Sequence, residues 1–316
     1  AENASALRTL DQAVALRNHI LRRLEQASQE PDLLLRKQLL TFVVVGGGPT
    51  GVEMAGTLVG LKKAVIKDYP TLSLNELRIV LVQSGDNLLG NLPDRLGRYT
   101  VRTLSRLDVT VLSEKRVSRV TSQSIEFQDG SSLPTTTVVW AAVMPTVSEM
   151  PGVVRKHKIR VRPTLQLISY DNVYVIGDLA HVQQQEKSLA GVAPEALQQG
   201  VMVARNISRQ MKGKAPKPFS YFNKGRLAII GGYSGVGKIG PFLLTGFLPW
   251  LMWLSVHLVY LPGFRSRLLV LLSWLHGYGM GDRAIRLILP SSPFVFQDRT
   301  LSTNKLLTLA KSTILS

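Results

Sequence analysis

The chain has 316 residues, of which 45% are hydrophobic, and its formal net charge is +17. It contains no cysteine, which excludes disulfide frameworks, cysteine-ligated metal centres and redox-active disulfides. After residue 200, fifteen Lys and Arg stand against two acids, in the most apolar part of the chain. A segment that is both basic and apolar suits an anionic membrane surface, so the composition favours lipid over nucleic acid as a partner.

The first part of the chain alternates between helical and strand-like patterns. Apolar residues recur at three- and four-residue steps over 4–30, which predicts a helix, and Thr41–Val45 is a short β-branched run that predicts a buried parallel strand. The pattern continues with a helix over 52–66, a strand over 78–83, a helix over 95–107 and a strand over 109–112. This order is typical of a nucleotide-binding α/β domain.

The pattern then changes to short alternating strands over 116–120, 124–127 and 137–142, with a turn at Asp129-Gly130. A buried strand over 172–176, a helix over 193–210 and a strand over 227–233 follow. Residues 239–264 carry no formal charge and are bracketed by Lys238 and Arg265. We therefore predict an α/β domain with an antiparallel insertion, followed by an apolar tail.

Three glycines follow the strand at Thr41–Val45 in the spacing G-x-G-x-x-G. Gly46 permits a tight turn, Gly48 lets the backbone approach a pyrophosphate, and Gly51 lets the helix pack closely on the strand. Pro49 and Thr50 complete the turn and are expected cofactor-binding residues with the glycines, and the N-terminus of the following helix directs free N–H groups at the phosphates. The pattern predicts a dinucleotide site, and the alternative is a tight turn with a purely structural role.

Two polar residues lie near this turn. Gln83 ends the second strand, where NAD-binding proteins usually carry an acid for the ribose. A neutral amide does not repel a 2′-phosphate, so Gln83 predicts that NADPH is tolerated beside NADH, unless it is only a polar strand end. Glu53 either stabilises the helix N-terminus through the helix dipole or faces the nicotinamide.

A second signature is NVYVIGD, a strand that ends in Gly177-Asp178 and whose acid can bind the hydroxyls of a ribityl or ribose chain. GGGPTGVE, VVWAA, NVYVIGDLAH and APEALQQG occur in the order and spacing of one family. The chain resembles the type II NADH dehydrogenases, single-subunit FAD-dependent NAD(P)H:quinone oxidoreductases, and its LKKAVIKDYP segment is similar to cyanobacterial or plastid members.

The resemblance implies the two-dinucleotide-binding-domain flavoprotein fold, with C-terminal amphipathic membrane-anchor helices. It implies that Gly46, Gly48 and Gly51 hold the NAD(P)H pyrophosphate, with Glu53 at the nicotinamide and Gln83 at the adenosine ribose. Gly177 and Asp178 would bind FAD. The helix from Ala193 would direct its N-terminus at the flavin, and Gln198 would lie near the flavin and the quinone. Glu53 and Gln198 are thus the expected catalytic residues.

The chain departs from the family at three places. The family begins with a further FAD-binding unit, so we expect an N-terminally truncated sequence whose first FAD-binding unit is missing. Val143 replaces a common glycine, and Pro194 replaces a common glutamine. The expected segments are a helical remnant of the FAD domain (1–36), an NAD(P)H-binding domain (37–146), a returning part of the FAD domain (147–222) and a membrane-association region (223–316).

The apolar tail is long enough to cross a bilayer. Pro249 and His257 interrupt it, and aromatic residues that favour interfaces are spread along it. We therefore expect a monotopic anchor; a true span and a buried core helix are the alternatives. Four arginines of the tail are expected to meet anionic lipid: Arg265, Arg267, Arg283 and Arg286.

The predicted activity passes hydride from NAD(P)H to FAD and two electrons to ubiquinone, plastoquinone or menaquinone, without proton pumping. A homodimer and a place on the cytoplasmic face of an inner or thylakoid membrane are expected. The five histidines lack metal-ligand spacing, so no metal is expected. The alternatives are a catalytically incomplete NAD(P)H-binding protein attached to the membrane and another FAD-dependent reductase of the same fold, although the disulfide reductases of that fold require cysteines.

Overall fold

The computed structural model describes residues 4–7, 9–142, 154–155, 158–184, 187–189 and 191–279. Val143, Arg283 and Arg286, named above, lie outside these residues. The chain divides into two compact units, of which unit 1 comprises Ala1–Ala142 with Gly225–Ser316 and unit 2 comprises Val143–Lys224. The division into the four expected segments stays a prediction.

Unit 1 begins with a parallel α/β arrangement. Its elements in chain order are β1 (Ser5–Ala6), α1 (Leu10–Gln29), α2 (Leu33–Leu39), β2 (Thr41–Val45), α3 (Pro49–Val65), β3 (Arg78–Val82), α4 (Asp94–Arg106) and β4 (Val109–Leu112). An antiparallel sheet of β5 (Val117–Val120), β6 (Ser124–Phe127) and β7 (Ser132–Pro134) follows, and then β8 (Thr137–Trp140). The five-stranded parallel sheet has the order β1-β8-β2-β3-β4.

The central strands of this sheet are buried, which explains why their apolar runs could be recognised as strands from the sequence. Every residue of β2 is buried, and four of the five residues of β3 are buried. Because parallel strands are covered on both faces, they appear as continuous apolar runs. β3 and β4 lie on one side of β2, and β8 lies on the other side. The glycine turn after β2 therefore lies where the strand order reverses, which is the usual place for a ligand in such sheets.

Unit 2 consists of small strands and one long helix. The strands are β9 (Val154–Arg155), β10 (Lys158–Arg160), β11 (Gln166–Leu167), β12 (Tyr170–Tyr174), β13 (Ala180–His181), β14 (Gln183–Gln184) and β15 (Lys187–Ser188), and the helix is α5 (Ala193–Met211). The prediction of a buried strand over 172–176 is wrong. Within the residues that the structure describes, the observed strand pairs with β11 alone, and Val173 and Ile176 are 39% and 38% exposed.

Unit 1 resumes with an antiparallel sheet of β16 (Arg226–Gly231), β17 (Ser234–Ile239) and β18 (Phe242–Gly246), followed by α6 (Phe247–Tyr260) and α7 (Phe264–Gly279). The uncharged stretch 239–264 is therefore not one helix. It divides at Gly246, whose φ of +86° favours glycine. No helix in the described ranges is both long enough and apolar enough to cross a bilayer.

The remaining predicted elements agree with the structure to within a few residues. α1 begins at Leu10 rather than near residue 4, because the Thr9 hydroxyl accepts the N–H of Gln12 in a capping box. Several short elements were not predicted, among them β1, α2, β7, most of the small strands of unit 2, and β17 and β18. The α/β fold class is confirmed, and the anchoring role of α6 and α7 stays a prediction.

Candidate functional site

The turn between β2 and α3 has the geometry of a phosphate-binding loop. Gly46 has a φ of +115°, and its N–H donates to the Val82 carbonyl at 2.8 Å. Gly48 is the N-cap of α3 and has no side chain to occupy the helix end, and Pro49 stands in the first turn. A Cβ added to Gly48 would meet no atom within 4 Å. This open space in front of a helix N-terminus fits a pyrophosphate.

The third glycine has a packing role instead. A Cβ on Gly51 would lie 1.7 Å from the carbonyl oxygen of Gly46, so α3 touches the turn at this point. Gly46 is equally confined, because its Cβ would lie 2.8 Å from the Ala142 backbone nitrogen. The turn is therefore a rigid loop with one open side, at Gly48.

The side chain of Gln83 holds the same turn through hydrogen bonds. Its Oε1 accepts the N–H of Gly47 at 2.9 Å, and its Nε2 donates to the Asn87 carbonyl at 3.4 Å. This bracing contact was missed by the sequence analysis, because a strand residue gives no sign of which backbone group its side chain reaches. The structure thus brings Gln83 together with the glycine turn, and its contact with a ribose stays a prediction.

Glu53 lies one turn into α3 and faces the C-terminal part of unit 1. Its Oε1 accepts the N–H of Ile229 at 3.4 Å, and it also hydrogen-bonds Trp253. Burial raises the pKa of the Glu53 carboxyl above its ordinary value, and the two hydrogen bonds partly offset that effect. Glu53 is therefore positioned to hold a proton more readily than an exposed carboxyl does. Its contact with a nicotinamide stays a prediction.

The Glu53 carboxyl borders a cavity of about 510 Å³ within unit 1. Its walls come mainly from α3, the β16–β17 turn, α6 and α7, and five of the lining residues are aromatic: Tyr233, Trp250, Trp253, Trp274 and Tyr278. Trp250 packs edge-on against both Tyr233 and Tyr278, with ring centroids 5.2 Å apart in each pair. A cavity with one carboxyl among aromatic rings suits a flat apolar ligand that carries a polar group.

Unit 2 places the second group of predicted residues around the start of α5. Gly177 has a φ of +70°, and its N–H donates to Gln199 Oε1 at 2.7 Å. Asp178 follows with an exposed side chain. α5 begins at Ala193, as expected, and the buried Glu195 accepts the N–H groups of Gly191 and Val192.

The amide of Gln198 is engaged with the chain itself. Its Nε2 donates to the Phe222 carbonyl at 2.9 Å, and its Oε1 accepts the Phe222 N–H at 3.0 Å. The neighbouring Gln199 is buried and holds Gly177, a role that the sequence analysis missed. The catalytic assignment of Gln198 stays a prediction.

No cluster of three or more metal-ligating side chains is found in the ranges described above. Two histidines have ordinary structural contacts. His19 Nε2 lies 3.1 Å from the Thr136 carbonyl, and His181 Nδ1 lies 3.3 Å from Ser188 Oγ.

Comparison with known proteins agrees with this geometry. The type II NADH:quinone oxidoreductase Ndh of Mycobacterium tuberculosis is 34% identical over 290 residues, which cover 87% of this chain and 62% of the relative. A probable NADH dehydrogenase of Dictyostelium discoideum is 29% identical over 283 residues, covering 87% of this chain and 62% of the relative. The chain thus spans about three fifths of the length of these curated relatives.

A solved structure, NDH2 of Plasmodium falciparum in complex with NADH, shows the same fold. It has a TM-score of 0.80 and 19% identity, and the match covers 89% of this chain and 74% of that one. The predicted resemblance to type II NADH dehydrogenases is confirmed by the named relatives. The family model of the pyridine nucleotide-disulphide oxidoreductases matches residues 1–200. On this match, and on the glycine turn at the reversal of a parallel sheet, the chain belongs to the pyridine nucleotide-disulphide oxidoreductase family.

Proposed function

We propose that the chain acts in a type II NAD(P)H:quinone oxidoreductase, with unit 1 binding NAD(P)H. The observation that carries the proposal is the open side of the glycine turn at Gly48, in front of the α3 N-terminus. Relatives named as NADH:quinone oxidoreductases support the activity. The chain has no cysteine, so the disulphide chemistry in the family's name is not what this chain supplies.

The residues of unit 2 fit part of an FAD site. Asp178 presents an exposed carboxylate that can accept hydrogen bonds from ribityl hydroxyls, and it follows a glycine fixed by the buried Gln199. The N-terminus of α5, at Ala193, offers a partial positive charge to an electron-rich ring. When bound, FAD would accept a hydride and pass two electrons on. The role of this chain is to bind and orient both nucleotides.

The C-terminal helices suit a membrane surface. α6 has 14 residues, so it is about 21 Å long, shorter than the roughly 30 Å of a bilayer core. Large apolar side chains nevertheless face outwards along both helices, with Val259 63%, Phe264 79% and Leu275 63% exposed. We infer a monotopic attachment, through which a lipid-soluble quinone reaches the protein. Arg265 and Arg267 stand at the start of α7, where anionic lipid would favour them.

A catalytically incomplete NAD(P)H-binding protein is the second candidate. It is favoured by one observation: the amide of Gln198, an expected catalytic residue, is hydrogen-bonded to the Phe222 backbone through both its nitrogen and its oxygen. Such a protein would bind NADH without reducing a quinone.

Substitution of Gly48 tests the nucleotide site. Because the φ of Gly48 is −74° and its Cβ would meet no neighbour, Gly48→Ala and Gly48→Val should both fold. Valine would fill the space proposed for the pyrophosphate, so we expect NADH affinity to fall about tenfold or more, roughly the effect of 1.4 kcal/mol. The measurement is the quenching of tryptophan fluorescence by NADH, with thermal unfolding as the folding control. Unchanged NADH affinity in a folded Gly48→Val chain would refute the site.

A further inference from the structure

The outer face of α4 carries four arginines in one row. Arg95, Arg98, Arg102 and Arg106 are spaced by three, four and four residues, so they lie within about 80° of arc at 3.6 residues per turn. All four are exposed, and none forms an ion pair in the part of the chain that the structure covers. We call these four residues the arginine stripe. Like charges one helical turn apart repel, and a negatively charged surface against the helix would offset that repulsion.

The positive charge continues from the stripe onto the C-terminal sheet. Tyr99, at the border of the stripe, hydrogen-bonds Ser234 of β17 with an O–O distance of 3.2 Å. Lys238 lies four residues further along β17, so its side chain is on the same face of the sheet as that of Ser234. Lys238 pairs with Arg226 across the strands, and Arg226 donates to the Asn91 carbonyl just before α4.

An apolar surface adjoins this basic one. The edge strand β18 contacts both α4 and α6. Phe242 of β18 and Phe247 of α6 are both exposed. Phe247 directly follows Gly246, whose Cβ would lie 3.7 Å from the Tyr99 hydroxyl oxygen, so an exposed apolar side chain at the start of α6 lies near the border of the stripe. An apolar face flanked by cations is the arrangement found where proteins lie in a lipid interface.

We propose that the arginine stripe binds the phosphate groups of anionic phospholipids and so orients unit 1 on the membrane. The proposal rests on the membrane attachment proposed above. A guanidinium binds phosphate through two parallel hydrogen bonds, which makes a row of arginines better suited to headgroups than a row of lysines. The source of the phosphate is lipid rather than nucleic acid, because exposed apolar side chains border the stripe.

Vesicle binding by the full chain tests this proposal. The probes are vesicles of phosphatidylcholine alone and vesicles in which about one third is phosphatidylglycerol, because a leaflet containing anionic lipid attracts basic residues close to it. We expect the unaltered chain to bind the anionic vesicles more tightly. Replacing all four residues of the stripe by glutamine, which keeps helix propensity, should weaken that binding about fivefold per arginine removed. Binding to neutral vesicles should be unchanged.

The matched control removes the same number of charges elsewhere. Arg116, Arg119, Lys212 and Lys214 are exposed and lie outside α4, so their replacement by glutamine gives the same net charge. We expect this variant to keep its preference for anionic vesicles. Equal losses in the two variants, or no loss in the stripe variant, would overturn the proposal. If the unaltered chain binds both vesicles equally, only the stripe proposal fails; if it binds neither, membrane attachment fails as well.

A fluorophore attached at one position of the stripe tests contact with the vesicle directly. This test does not depend on a large change in net charge or on whether a fourfold variant folds. Because the chain has no cysteine, Arg102→Cys gives a single site for an environment-sensitive fluorophore. Ser118→Cys, exposed on β5, is the control. We expect the emission of the probe at position 102 to shift to the blue on anionic vesicles, with no shift at position 118. The absence of a shift at position 102 would overturn the proposal. A shift with RNA but not with vesicles would also overturn it, and would identify a nucleic-acid face instead.

Discussion

The docking of α3 on the C-terminal sheet depends on a helical glycine, Gly56, which faces Ile230 of β16. A Cβ at Gly56 would lie 1.9 Å from the Ile230 carbonyl oxygen, whereas ordinary contact begins at 3.4 Å. In Gly56→Ala the helix and the strand must therefore separate by about 1.5 Å, because packed interiors leave no spare room. Overpacking costs about 1–3 kcal/mol, and here it falls at the upper end because the obstacle is backbone. Alanine returns about 1 kcal/mol of helix propensity.

We therefore expect Gly56→Ala to lower the free energy of unfolding by about 2 kcal/mol and Tm by roughly 4–8 °C. Tryptophan fluorescence during thermal unfolding is the assay, because all four tryptophans belong to unit 1: Trp140, Trp250, Trp253 and Trp274. The signal thus reports this unit alone.

The matched control for Gly56→Ala is Gly277→Ala, a second helical glycine of unit 1, in α7. A Cβ at Gly277 would meet no atom within 4 Å, so alanine should leave Tm unchanged or raise it slightly. A Gly56→Ala protein that unfolds at the temperature of the unaltered chain would refute the close packing. So would an equal loss in the two variants, because it would show that helical glycines are generally sensitive here.

Three further predictions concern charge. Gln83→Glu keeps an acceptor for the Gly47 N–H but adds a negative charge. About 1 kcal/mol of repulsion between this charge and the 2′-phosphate should lower the ratio of NADPH to NADH affinity at least about fivefold. An unchanged ratio would show that Gln83 does not contact the ribose. Because burial raises the pKa of Glu53, its ionisation lowers the free energy of unfolding as pH rises above the ordinary pKa of 4.5. Glu53→Gln should therefore stabilise unit 1 at neutral pH and not below pH 4.5. Urea unfolding measures this, and a gain in stability that is independent of pH would contradict it. Burial, with Arg23 nearby, lowers the pKa of His19, so the neutral ring contributes stability that is lost as pH falls below 6.5. His19→Gln should make the free energy of unfolding depend less on pH in this range. An equally steep fall of stability with pH in the variant would count against the prediction.

The glycine turn could be predicted from sequence because its determinants are local. The apolar run of Thr41–Val45 marks a strand covered on both faces, and the spacing of the three glycines marks the turn. The roles of Gly46 and Gly51 follow from backbone geometry alone. The predicted open space at Gly48 is found in the structure for the same reason.

What could not be predicted depends on long-range contacts. Residues 172–176 are mostly apolar, but their pattern does not show whether another layer covers them, and in the described ranges β12 pairs with a single strand. The stretch 239–264 lacks charge, but its division depends on the backbone conformation at Gly246. The Gln83–Gly47 bond and the contact of Glu53 with Ile229 join residues 36 and 176 positions apart.

Under the proposed function, electrons pass from NAD(P)H through a flavin to a quinone. The most direct measurement is the visible spectrum of the purified full chain in detergent, supplied with FAD, before and after NADH is added. The proposed function requires flavin bands that bleach with NADH and return when a short-chain quinone is added. Bound NADH without any flavin bleaching would contradict it, and would identify the chain as a nucleotide-binding protein that does not catalyse the reaction.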